Sequence, residues 1–139
     1  MRQLTTTLSI ETRKRGLVEI TREVRDWTAR QAMTTGMLTL FIRHTSASLL
    51  IQENADPDVQ ADLERFLARL VPDGDPLFAH TIEGPDDMPA HVRAALMQTH
   101  LAIPLIHGAL ALGTWQGVFV YEHRTHGHAR EVVLSLAGQ

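Results

Sequence analysis

The chain has 139 residues, eight histidines and no cysteine. With 44% hydrophobic residues, 21% charged residues and a net charge of -3, it has the composition of one ordinary globular domain, expected to span 1–139. The lack of cysteine excludes disulfides, thiolate zinc sites, iron–sulfur clusters and a cysteine nucleophile, so any metal must take nitrogen and oxygen ligands.

The basic residues are twelve arginines and one lysine. Only Arg13-Lys14-Arg15 forms a basic cluster, so no nucleic-acid partner is expected. No stretch approaches the about 20 apolar residues of a membrane span. The segment Met1 to Thr7 alternates like a strand and lacks the apolar core of a leader peptide. The expectation is a cytoplasmic protein with no membrane partner.

Alternation predicts a strand over residues 3–10 and a short second strand over 16–20, joined as a hairpin through Arg13-Lys14-Arg15-Gly16. Thr21 is placed to cap a helix in which Ile20, Val24, Trp27 and Gln31 keep helical spacing, ending near Thr35-Gly36. Strands follow over 37–44 and 47–53. Asp56-Pro57 opens a second helix, with Asp as N-cap and Pro at its first position, and its apolar stripe is Val59, Leu63, Phe66, Leu67 and Leu70. Pro72 to Pro76 is a turn cluster, and 77–89 is a loop rich in polar side chains. A third helix starts near Met88-Pro89. Strands are then predicted over 101–106, 110–112, 116–124 and 129–136, with turns at His107-Gly108 and His126-Gly127-His128; Pro104 predicts an edge or a bulge. Short turns between consecutive strands favour antiparallel pairing, so the fold class is α+β, mainly antiparallel sheet with about three helices.

Four groups carry candidate chemistry. His44-Thr45-Ser46-Ala47 puts a histidine at a strand end beside two hydroxyls. In Glu53 to Val59, continuing to Asp62, Asp58 and Asp62 share a helix face and offer oxygen ligands to Mg²⁺, while Asp56 is accounted for as a cap. His80 to His91 places two imidazoles and the carboxylates Glu83, Asp86 and Asp87 within twelve residues, a set suited to Zn²⁺ or another divalent ion with positions left open. In Leu112 to Val118, Gly113 and Gly117 flank Trp115 and predict a bulge or a close backbone approach. The remaining histidines, His100, His107, His123, His126 and His128, are read as turn or strand-end residues without chemistry.

These motifs together resemble the YjbQ-like family, the secondary thiamine-phosphate synthase enzyme family. They are His44-Thr45-Ser46-Ala47, Glu53 to Val59, His80 with Glu83-Gly84, Asp87 with Ala90-His91, and Leu112 to Gly117. The resemblance runs from Leu4 to Leu136. It implies a homotrimer and a site at which His44, His80, His91, Glu83 and Asp62 are catalytic, with the three histidines as metal ligands. It implies contacts to substrate or phosphate from Thr45, Ser46, Asn54, Asp58, Gly113, Thr114 and Gln116. The activity implied joins a hydroxymethylpyrimidine pyrophosphate to a thiazole phosphate and releases pyrophosphate. A divalent metal, Zn or Mg, would neutralise the leaving group. The alternative is a non-catalytic trimer that binds a metal or a small phosphorylated metabolite. The segment Arg124 to Arg130 receives no role from the resemblance.

Overall fold

A computed structural model describes residues 1–139. In chain order the elements are β1 (Arg2–Glu11), β2 (Gly16–Glu19), α1 (Thr21–Arg30), β3 (Gly36–Ile42), β4 (Ala47–Glu53), α2 (Pro57–Leu70), α3 (Asp87–Leu96), β5 (His100–Ile106), β6 (Ala109–Leu110), β7 (Gln116–Glu122) and β8 (Ala129–Gly138). The strands form two sheets, one of five strands in the order β1-β8-β3-β5-β6 and one of three in the order β2-β7-β4. Every pairing is antiparallel, so the α+β class with three helices holds.

Alternation along the strands decides which side chains meet between the sheets. Leu38, Leu40 and Ile42 of β3, Leu101, Ile103 and Leu105 of β5, and Val132, Leu134 and Leu136 of β8 face Ala47 and Leu49 of β4 and Val118 and Val120 of β7. Val24 and Trp27 of α1 join the same cluster. The other parity of β7, Phe119 and Tyr121, is also buried. Tyr121 Oη donates to Glu64 of α2 (2.7 Å), so helix covers the second face of the three-stranded sheet.

The pairing differs from the sequence expectation. β1 and β2 are not a hairpin: β1 pairs with β8 and β2 with β7. Likewise β3 and β4, and β7 and β8, lie in different sheets. Of the consecutive strands, only β5 and β6 pair, through a turn in which His107 and Gly108 both take positive φ. The other short connections are corners that carry the chain across the core. At one of them Thr12 N–H donates to the His128 carbonyl (3.0 Å) and His128 N–H donates to Thr12 Oγ1 (2.9 Å). Gly127 belongs to this corner, where a Cβ would stand 2.0 Å from the Thr12 carbonyl oxygen.

Helix ends also depart from expectation. α1 stops at Arg30, because Ala32 adopts a left-handed φ of 54°. Thr21 does not cap it: its hydroxyl donates to Glu19 (2.7 Å) and accepts from Val118 N–H (2.9 Å). Asp56 does cap α2, accepting from Asp58 N–H at 2.9 Å. Of the predicted stripe of α2, Leu67 is buried but Phe66 and Leu70 are about half exposed, because α2 meets the body of the protein along a narrower strip than its periodicity suggests. Pro104 pairs in register with Met37, and the two-residue β6 stops short of it. The missing amide therefore breaks no ladder.

Candidate metal centre

α3 begins at Asp87, and the spacing of one helical turn puts His91 over the same face. The preceding loop returns His80 to that face. His80 Nε2 lies 2.7 Å and His91 Nε2 3.2 Å from the same atom, Asp87 Oδ2. One ligand atom from each residue lies within 4.8 Å of the other two. Ligand bonds of about 2.0–2.2 Å to a tetrahedral zinc place the donor atoms about 3.3 Å apart, so the trio fits such an ion.

The surroundings preset these side chains. His91 Nδ1 sits 3.1 Å from the Thr45 carbonyl oxygen, which can only accept, so Nδ1 donates to it, and Nε2 is the nitrogen that would give its lone pair to an ion held by the trio. Asp87 is 4% exposed. Burial pushes its carboxyl up, but the hydrogen bond with His80 and the charges of His91 and Arg124 outweigh that and hold it below the usual carboxylate range. Arg124 lies 3.1 Å from the other carboxylate oxygen, Asp87 Oδ1. It also donates to Asp86 (2.9 Å) and to the Glu83 carbonyl (3.0 Å). The bond to Asp86, despite the opposing effect of burial, raises the Arg124 pKa further. Asp86 is in turn depressed: burial opposes ionisation, and Arg124 and Thr125 overcome it.

Arg93, fully buried on α3, grips Glu64 of α2 with both terminal nitrogens (2.7 and 3.0 Å). This bidentate pair fixes α3, and with it Asp87 and His91, against the sheet.

His44 stands apart from the trio. Its Nε2 accepts from Glu131 N–H at 2.8 Å, and Arg130 Nη1 lies 3.3 Å from Nδ1. Burial and the Arg130 charge lower its pKa and keep the ring neutral. As placed, one ring nitrogen is occupied and the other faces a cation, so this chain brings together His80, Asp87 and His91 where the resemblance implies His44, His80 and His91. Thr45 serves through its carbonyl, and Ser46 Oγ accepts from Arg130 (3.0 Å). Glu83 meets Arg124 by its carbonyl, while its carboxylate is 63% exposed and 4.0 Å away. Asp58 and Asp62 are exposed on α2, and Asp62 pairs with Arg65 one turn on.

The remaining predicted residues gather elsewhere. Asn54, Thr114 and Gln116 line a wholly polar cleft of about 670 Å³ with Glu19, Thr21 and Arg22. Asn54 donates to Glu19 (2.9 Å), and Gly113 N–H donates to Gln116 Oε1 (2.8 Å). Gly117 makes the predicted close approach: a Cβ there would lie 2.7 Å from the Glu19 carboxylate. Thr45 and Asn54 bracket β4, nine residues apart, which at 3.2–3.4 Å per residue is about 30 Å of strand. The two constellations therefore occupy opposite ends of β4.

Sequence reasoning missed Arg124, Arg130, Glu122 and His123. Glu122 is fully buried and accepts from Thr12 Oγ1 and from Arg130 Nε (2.9 Å). His123 is not a strand-end residue in solvent: it is 0% exposed, with Nε2 2.8 Å from Ser48 Oγ and Nδ1 unpaired. Burial, reinforced by the Arg93 charge, pushes its pKa down to about 3. For the trio the sequence offered two signals, the density of imidazoles and carboxylates from His80 to His91 and the i, i+4 spacing of Asp87 and His91.

The model of the family described as UPF0047 protein YjbQ-like matches residues 6–139. The chain belongs to the UPF0047 family. It is 48% identical over 132 residues to the UPF0047 protein sll1880 of Synechocystis, covering 95% of this chain and 90% of that one. It is 41% identical to the UPF0047 protein YjbQ of Salmonella typhimurium, covering 96% of each. The crystal structure of the conserved hypothetical protein TT1486 of Thermus thermophilus superposes with a TM-score of 0.82 at 37% identity, covering 93% of this chain and 97% of that one. A YbjQ-like protein of Sulfolobus solfataricus, SSO2532, shares the fold at a TM-score of 0.86 with 18% identity, covering 99% and 100%. The names these UPF0047 relatives carry designate the family and no activity.

Proposed function

We propose that His80, Asp87 and His91 hold a divalent cation, zinc by their donor set, and that the UPF0047 chain uses this centre to bind and act on a small phosphorylated metabolite. The observation that carries the reading is the convergence of two imidazole Nε2 atoms on one buried carboxylate oxygen. Two imidazoles and one carboxylate suit zinc better than magnesium, which prefers oxygen ligands and water. An ion bound there would supply Lewis acidity and positive charge toward a phosphate oxygen. The chain's own residues orient the ligands: the Thr45 carbonyl sets the His91 tautomer and Arg124 holds Asp87.

The specific reaction we propose, on the resemblance of the five motifs, is the joining of a hydroxymethylpyrimidine pyrophosphate to a thiazole phosphate with release of pyrophosphate. The test is product formation by zinc- and magnesium-supplemented protein against His91→Ala. Product no greater than that of the variant overturns the synthase reading. A binding protein without catalysis is the second reading. It is favoured by the cleft beside His80, whose lining contains no lysine or arginine to neutralise a pyrophosphate. Elemental analysis and metabolite-dependent melting shifts test it.

A homotrimer belongs to the same proposal. The outer face of the five-stranded sheet is covered by no helix and exposes Met37 and Phe41, and Trp115 is 63% exposed. Phe119 is buried and presents no surface to a partner. Light scattering that gives the mass of one 15.5 kDa chain would overturn the trimer. No helix is long and apolar enough to cross a membrane, and a cytoplasmic location stays a proposal to be tested by fractionation.

A further inference from the structure

The loop between α2 and α3 forms a cleft of about 300 Å³, and His80 of the trio is part of its wall. This is the low end of the size range of small-molecule pockets, room for one ring and a short linker. The wall is otherwise apolar or uncharged: Phe78, Met88 and three prolines, with Asp75 as its single carboxylate and no cationic side chain.

The loop is tied down at both ends, so the cleft is preformed. Arg15 holds Asp73 through two bonds (2.8 and 2.9 Å), and Arg124 holds the Glu83 carbonyl and Asp86. Within it, Gly74 N–H donates to the Pro85 carbonyl (3.0 Å), and Leu77 N–H donates to Asp75 Oδ1 (2.9 Å). Gly74 takes a φ of 69° and Gly84 a φ of 105°, conformations that suit glycine. A preformed apolar wall costs a ligand little ordering entropy.

We propose that this cleft seats a compact aromatic or heteroaromatic ring, neutral or cationic, whose anionic head reaches the ion held by His80, Asp87 and His91. The ring stacks on Phe78 and Met88, which favour flat polarisable partners. An anionic group is excluded from the cleft itself, because only the Asp75 carboxylate is there to meet it, and is directed to the His80 end. The position of the head rests on the metal reading above; the ring site does not.

The test follows the methyl resonances of the five methionines, with Met88 assigned through Met88→Leu, in metal-free and zinc-loaded protein. The probes are benzylamine, benzyl phosphate and inorganic pyrophosphate. Benzylamine is expected to shift Met88 saturably in both forms. Benzyl phosphate is expected to bind the zinc-loaded form more tightly than the metal-free form. Phe78→Ala is expected to weaken both ring probes by about tenfold and to leave zinc affinity unchanged. Pyrophosphate is expected to leave Met88 of the metal-free protein unmoved. If neither ring probe moves Met88, or Phe78→Ala binds them as well as the parent, the ring site is overturned even where zinc binds. If zinc does not bind while benzylamine shifts Met88, the metal reading and the placement of the head fall and the ring site stands.

Discussion

Asp87 precedes His91 by one helical turn, and its Oδ2 atom lies 3.2 Å from His91 Nε2 and 2.7 Å from His80 Nε2. One buried carboxylate thus orders two imidazoles from different segments, and Arg124 orders the carboxylate.

Removal of that outer support is expected to cost metal affinity without removing a ligand. Arg124→Ala should weaken zinc binding by about 10–100-fold, the usual effect of losing a group that positions a ligand. Calorimetric titration of folded protein with zinc reads this. Asp87→Asn should lose more, since it removes a charged ligand. Equal affinity in all three proteins would place the ion elsewhere.

The ion pair of Glu122 and Arg130 is buried on both sides. Glu122→Ala would leave the Arg130 charge without its partner and would remove one of the two acceptors of the Thr12 hydroxyl, the other being the His128 carbonyl. Loss of one member of such a pair costs about 3–5 kcal/mol. Urea unfolding should show this as a lower midpoint with an unchanged slope. A midpoint within error of the parent would contradict the buried geometry.

His123 predicts acid sensitivity. Its folded pKa of about 3 lies below the ordinary histidine value of 6.5, so between these values the unfolded chain binds more protons than the folded one. The stabilisation is whole above about pH 6.5 and is lost progressively as pH falls toward 3. His44, also depressed, acts in the same direction. Asp86, Asp87 and Glu122 are depressed carboxylates and add their loss only below the carboxylate range, near pH 4. Stability measured from pH 7 to 5 should therefore fall in the parent and fall less steeply in His123→Gln, which keeps a hydrogen-bonding group near Ser48. Parallel curves would show that His123 does not titrate as argued.

Gly127→Ala should destabilise the corner between β7 and β8. The added Cβ would meet the Thr12 carbonyl oxygen at 2.0 Å, and the backbone on both sides must move. Overpacking of this kind costs about 1–3 kcal/mol, read as a drop in melting temperature. Gly16→Ala meets nothing within 4 Å; its cost is limited to a positive φ that alanine disfavours.

Much of the local structure was legible along the chain. Asp56-Pro57 announced a helix start, alternation announced β1 and β3, an apolar run announced β5, and His107-Gly108 announced a turn. Each depends on neighbours within a few residues. The metal centre was half legible. His80 and His91 stood out as ligand types, and the spacing of Asp87 and His91 was available, but the preference for His44 came from motif order. Nothing local shows that Glu131 N–H, 87 residues away, occupies its ring nitrogen.

By itself the sequence determined the family, the α+β class, the nitrogen and oxygen chemistry of any metal site, and the position of most elements. Those follow from residue types and short-range periodicity. Tertiary structure decided the rest: that short connections cross between sheets instead of making hairpins, that Asp87 completes the trio, that Arg124 positions it, and that His123 is buried and neutral. The physical reason is common to all four. A corner, a buried ion pair and a ligand triad each join residues distant in sequence, and only packing of two sheets and three helices on one core determines which of them meet.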